Sequence, residues 1–150
     1  MFRGRFEHTI DEKGRVNVPA RFREVLQAAN DDRVVITNFM MSGVRCLDVY
    51  PLAAWLQLEE RLRAKPQFDQ RLMRFQNYYV ASAHECVLDK QGRILLPPTL
   101  RQYAALTRDV VFTSALDKFR IWDREQWNRV FSEVEQSFLE RPEDLSELGI

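Results

Sequence analysis

Cysteine and histidine are nearly absent from this 150-residue chain, which has only Cys46, Cys86, His8 and His84. The cysteines stand far apart with no C-x-x-C around either, and the histidines do not cluster, so a disulfide framework and a zinc site are both excluded. Both cysteines read as small core residues. The five glycines are scattered, with no G-x-G and no G-K-[ST], which removes the phosphate-cradling loops of nucleotide enzymes. No stretch reaches the ~18 uncharged apolar residues of a membrane span. Where a signal peptide would carry its apolar segment, Glu7, His8 and Asp11 follow Met1-Phe2-Arg3-Gly4-Arg5. A cytoplasmic protein is therefore expected, with no membrane association. Nor is there an excess of charge of one sign: 22 basic residues balance 22 acidic ones, which argues against a chain that coats nucleic acid by bulk charge.

The charge is unevenly spread. Residues 1–24 hold six basic groups, including Arg3, Arg5, Lys13 and Arg15, against four acidic ones. Residues 131–150 hold six acidic groups against Arg141 alone. A zero sum thus hides a mildly basic beginning and an acidic end. Apolar residues at 45% and charged residues at 29% describe an ordinary folded domain, long enough to bury a core without staples.

The chain also repeats itself. Asp11-Glu12-Lys13-Gly14-Arg15-Val16-Asn17-Val18-Pro19 recurs 78 residues later as Asp89-Lys90-Gln91-Gly92-Arg93-Ile94-Leu95-Leu96-Pro97. Downstream, Arg33–Thr37 aligns with Asp109–Thr113 at offset 76, and Val49-Tyr50 with Trp55 aligns with Ile121-Trp122 with Trp127 at offset 72. Residues 5–52 and 81–124 are two copies of one supersecondary unit. Residues 53–80 form a helical linker without a counterpart, and 125–150 a C-terminal helix and acidic tail.

In each copy the pattern predicts a strand, a tight turn at Gly14 or Gly92, and a short second strand, Arg15–Val18 or Ile94–Leu96. A helix opening at Pro19 or Pro97 follows; Phe22, Val25, Leu26 and Ala29 share one face of the first. Two more strands close each copy, Val34–Thr37 with Cys46–Tyr50 and Val110–Thr113 with Phe119–Trp122. Further helices are predicted at Leu52–Ala64, Phe68–Tyr78 and Arg124–Glu140.

The repeated turn has a chemical logic. An Asp carboxylate at its start can accept backbone N–H groups and hold a guanidinium, Gly allows φ > 0, and the Arg projects from the next strand. Asp11, Gly14, Asp89 and Gly92 read as turn-orienting residues. Arg15 and Arg93, with Arg3, Lys13 and Lys90, are candidates for binding phosphate or a guanine edge. The histidines occupy inequivalent repeat positions, so no acid–base constellation for catalysis emerges and no cofactor, metal or small-molecule substrate is expected.

The opening Met-Phe-Arg-Gly, the doubled D-x-x-G-R-x-x-x-P, Trp55 and Trp127 and the length together resemble the MraZ family of bacterial transcriptional regulators, within the AbrB-like swapped-hairpin DNA-binding group. The resemblance implies an α+β fold of two tandem swapped-hairpin β-α-β units forming an intramolecular pseudo-dimer with flanking helices. It also implies a ring-shaped homo-oligomer, and binding of double-stranded DNA at repeated boxes in the promoter of the regulator's own cell-division and cell-wall gene cluster, on the cytoplasmic nucleoid. The family's DNA contact falls on Asp11–Arg15 and Asp89–Arg93. A competing reading is an oligomeric scaffold or antitoxin-like module whose working surface is the acidic tail.

The predicted helices bearing Trp55, Leu56, Leu62, Trp127, Phe131 and Phe138 carry more apolar surface than a small monomer hides, which marks an interface. Light scattering at micromolar concentration is expected to give a mass well above that of the 17.8-kDa chain; a monomer alone would refute the assembly.

Overall fold

The computed structural model describes all residues, Met1–Ile150. The first half supplies β1 (Arg5–Thr9), β2 (Arg15–Asn17), α1 (Ala20–Ala28), β3 (Arg33–Met41) and β4 (Val44–Pro51). Next come α2 (Leu52–Arg63), α3 (Gln70–Phe75) and a π-helical turn, Gln76–Val80. The second half supplies β5 (His84–Val87), β6 (Arg93–Leu95), α4 (Pro98–Tyr103), β7 (Asp109–Ser114) and β8 (Phe119–Asp123), followed by α5 (Arg124–Glu140) and α6 (Glu143–Glu147). Each unit is thus β-β-α-β-β, the element order that the pattern of each copy predicts.

The halves are interleaved. The main antiparallel sheet runs β1-β7-β8-β4-β3-β5, so the first strand of each half lies against the third strand of the other. Arg5–Thr9 pairs with Thr113–Asp109, and Arg33–Ile36 pairs with Val87–His84. The second strands form a separate two-stranded ribbon, with Val16 opposite Ile94. Between ribbon and sheet lies the core, and its members occur in repeat-related pairs: Val16 with Ile94, Val18 with Leu96, Phe22 with Leu100, Leu26 with Ala104. Their volumes differ, and the exchange compensates. Phe22 of α1, fully buried, packs on Phe112 and Phe119 of the other half and on Phe2, at ring-centroid distances of 4.9–6.5 Å.

The opposite face of the sheet is covered by helices. Trp55, Tyr50 and Tyr79 pack with Val35 beneath α2 and the π turn, while Trp122, Cys46 and Val130 pack beneath α5. Between these clusters, Asp48 of β4 accepts a 2.8 Å hydrogen bond from Arg120 Nε of β8 and one from the Tyr79 hydroxyl. Burial raises the Asp48 carboxyl pKa, against the lowering pull of the Arg120 guanidinium.

Several sequence expectations are corrected. The prolines Pro19 and Pro97 precede their helices rather than opening them. Thr37 does not end its strand: β3 continues to Met41 and turns through Ser42-Gly43, both at positive φ, into β4. Asn38, polar yet buried, had masked that extension. The Phe68–Tyr78 helix is instead the short α3, capped by Asp69 accepting from the Arg71 N–H, running into the π turn. Cys86 is half-buried rather than core. Trp55, Leu62 and Trp127 pack against the chain's own sheet or helices, leaving Leu56 and Phe131, 51% and 41% exposed, as the outward apolar residues of those helices' middles.

Because Phe22 bridges the halves, Phe22→Ala is expected to lower unfolding stability by about 3–5 kcal/mol, read by denaturant titration, with one cooperative transition retained.

Candidate nucleic-acid interface

The two turns preceding the ribbon strands are near-copies in atomic detail. In the first, Asp11 Oδ1 accepts the N–H groups of Lys13 and Arg15, each at 2.9 Å, and Oδ2 accepts Arg15 Nε at 2.8 Å. In the second, Asp89 Oδ1 accepts from the Gln91 and Arg93 N–H groups at 2.9 Å and Oδ2 from Arg93 Nε at 2.8 Å. Gly14 and Gly92 sit at φ +84° and +77°, where a side chain would be strained. Their carbonyls accept from Leu96 N–H and Val18 N–H, both at 3.0 Å, so each turn is tied to the other half's strand.

This geometry revises one expectation. Arg15 does not simply extend from the turn tip; its Nε folds back on Asp11, which leaves its two terminal nitrogens without a partner in the chain. Arg93 is held twice, because its Nη2 also donates to Gln91 Oε1 at 3.0 Å. The first turn has Lys13 at the equivalent position and makes no such second tie.

Register decides what stands on the ribbon's outer face. Val16 and Ile94 point into the core, so Arg15 and Asn17 alternate outward on β2, and Arg93 and Leu95 on β6. Arg15 faces Leu95 and Asn17 faces Arg93, which puts the two arginines on one diagonal, with α-carbons about 7–8 Å apart. Asn17 and Leu95 escaped the sequence reading. Only the strand alternation within the repeat could have found them.

The two ends differ electrostatically. Beside the first turn lies a groove of about 660 Å³ lined by Lys13, Arg101, Leu95 and Leu106, with no acidic residue. Its counterpart beside the second turn, about 600 Å³, includes Asp31, Asp32 and Asp89 with Arg23 and Lys90. Arg23 and Arg101 are repeat equivalents at offset 78, and each packs against the other half's glycine turn. Arg101 also donates to the carbonyls of Leu106 and Thr107. Arg3 is not brought to the first turn: the five extended residues of β1, about 17 Å of rise, separate it from Asp11. His8 lies half-buried with its ring edge-on to Phe112, and burial, then the Arg23 charge, lowers its pKa.

Backbone N–H donors, then the arginines, hold the Asp11 and Asp89 carboxyls below their usual pKa of 3.8. A depressed folded-state value means that the turns contribute stability above about pH 3.8, and that this contribution is lost as pH falls through the lower folded value. Melting temperature against pH is expected to fall more steeply below pH 4 for the wild type than for Asp11→Asn/Asp89→Asn, with the two curves converging at the acid end. Parallel curves would show that the carboxylates do not stabilise the turns.

The family described as "MraZ protein, putative antitoxin-like" matches residues 1–77 and 80–147. A protein named Transcriptional regulator MraZ from Acidithiobacillus ferrooxidans is 44% identical over 130 residues, covering 85% of this chain and 86% of its own. Proteins of the same name from Desulfitobacterium hafniense and Thermoanaerobacter pseudethanolicus are 43% and 40% identical over 150 residues, the full length of both chains in each case. Alike in both halves and from end to end, this chain belongs to the MraZ family.

Proposed function

We propose that this protein is a sequence-specific DNA-binding transcriptional regulator that reads double-stranded DNA with the outer face of the β2–β6 ribbon. The observation that carries the reading is the pair of Asp–Arg turns, alike in hydrogen bonding, at the two ends of one exposed ribbon. A two-stranded ribbon fits the major groove, where arginine recognises guanine, asparagine recognises adenine, and an apolar side chain packs on a thymine methyl. Arg15, Asn17, Leu95 and Arg93 offer those three chemistries, flanked by Lys13 and Lys90 for phosphates. The name carried by the relatives supports a regulatory role.

The target is a set of repeated boxes in the promoter of the chain's own cell-division and cell-wall gene cluster. The protein works on the nucleoid. It binds as a homo-oligomeric ring, because one small ribbon per subunit binds a single box weakly and several on one frame raise the effective concentration of each further contact. The domain limits are 5–52 and 81–124, with the 53–80 linker holding them in one body. Arg15 is the leading contact: its terminal nitrogens are free and its neighbouring groove is basic, whereas Arg93 is tethered by Gln91 beside a groove that sets Asp31, Asp32 and Asp89 against Arg23 and Lys90.

Arg15→Ala is expected to cost about 1–3 kcal/mol per contacted box, roughly 5–150-fold in affinity, with a melting temperature lowered by no more than about a few degrees for the lost exposed ion pair with Asp11 and a shallower salt dependence. Arg93→Ala should cost less. Fluorescence anisotropy with promoter DNA at two salt concentrations, beside thermal melting, tests both. Wild-type affinity in Arg15→Ala would refute the ribbon as the reader.

A further inference from the structure

The interleaved halves are related by a pseudo-two-fold axis, and the strand registers locate it. Val16 pairs with Ile94, its own repeat counterpart at offset 78. In the main sheet Asp48 pairs with Arg120, again its own counterpart, at offset 72. The flanking pairs exchange as symmetry requires, Leu47 with Ile121 and Val49 with Phe119. The axis therefore passes between Val16 and Ile94 in the ribbon and between Asp48 and Arg120 in the sheet.

An axial position is special. If two identical halves paired, each axial residue would face a copy of itself. Both ribbon residues are aliphatic, so that site tolerates any pairing of halves. The sheet site does not. Asp48 is 1% exposed and the Arg120 side chain 16% exposed, so pairing first half with first half would set two buried carboxylates against each other, and second with second two guanidiniums. Like charges directly opposite on a sheet are unfavourable, and a buried charge left without its partner is strongly so.

The surroundings fix the polarity of the pair as well as its presence. The Tyr79 hydroxyl, from the linker that has no repeat counterpart, donates to Asp48 and is hydrogen-bonded to the Tyr50 hydroxyl at 2.7 Å. The Arg120 guanidinium lies 4.8 Å from the Phe39 ring centroid, a cation–π contact. Lys118, the remaining cation near this network, sits over the Tyr50 ring at 5.2 Å.

We infer that the Asp48–Arg120 pair is a partner-selection device: it commits each half to its complementary half and excludes like-half strand exchange between chains. A buried ion pair often contributes little net stability compared with a neutral pair of similar volume, yet it discriminates sharply among alternative pairings. The device is available only because duplication put the two halves on one chain, where the axial residues can differ.

The test uses complementary charge reversals in the full-length protein. Asp48→Arg puts arginine at both axial positions and Arg120→Asp puts aspartate at both. Each alone is expected to melt about 10 °C or more below the wild type. When the two variants are refolded together, one of them isotopically heavy, opposite charges meet again only between chains. Native mass spectrometry should then find strand-exchanged assemblies with equal numbers of heavy and light chains, whereas wild-type heavy and light chains mix at random. Asp48→Asn/Arg120→Gln, which keeps acceptors for Tyr79 but removes the charges, should melt within a few degrees of the wild type. Three results would each overturn the inference: a single reversal that folds and melts like the wild type, a mixture that yields no more folded protein than the variants separately, or a neutral double variant as destabilised as either reversal.

Discussion

β1 and β5 find their hydrogen-bond partners in the other half of the chain, on β7 and β3. Neither half can complete its sheet alone, since withdrawing it would strip backbone donors and acceptors from two strands at once. From that exchange follow the position of the core, the existence of the ribbon and the shape of its exposed face. Phe22 meets Phe112 and Phe119 only because α1 is carried across onto the second half's strands.

The ribbon makes the dependence plain. Strands of three residues, Arg15–Asn17 and Arg93–Leu95, are too short to persist by themselves. They are held by the carbonyls of Gly14 and Gly92, by the two Asp-centred turns, and by Val16 and Ile94 anchored in the common core. A rigid ribbon built in this way can present arginine terminal nitrogens outward with little freedom left to lose on binding. The near-symmetry of its backbone is not matched by its side chains. Lys13 against Gln91, Asn17 against Leu95, and a basic groove against an acid-bearing one make its two ends chemically distinct.

On the far face, asymmetry comes from the linker. The π turn delivers Tyr79 to the Asp48–Arg120 pair, and burial beside the Asp48 charge drives the Tyr79 hydroxyl pKa upward, so that it acts as a donor. Thr37 Oγ1 donates to the Tyr79 carbonyl at 2.6 Å, tying the turn to β3. On the α5 side the residue equivalent to Thr37, Thr113, accepts from Trp122 Nε1 at 2.9 Å instead. Equivalent sheet positions thus serve different neighbours, because α5 and the linker are different chains of residues laid on one symmetric frame.

What the sequence determined by itself was local and repetitive. Asp, Gly and Arg at fixed spacing specify a turn through interactions within five residues, and the repeat announced two copies of it. Helix α5 was legible over the same residues, Arg124–Glu140, from its apolar spacing, and in the structure Asp123 caps it by accepting from the Gln126 N–H. Its bounds depend on neighbours along the chain. Tertiary structure decided whatever depends on register between segments some 70 to 80 residues apart. It set Asn17 and Leu95 on the outer face, Arg23 and Arg101 under opposite turns, and Asp48 opposite Arg120 on the axis. Composition and periodicity carry no record of which strand lies beside which; that is settled only when the halves exchange and every backbone group must find a partner.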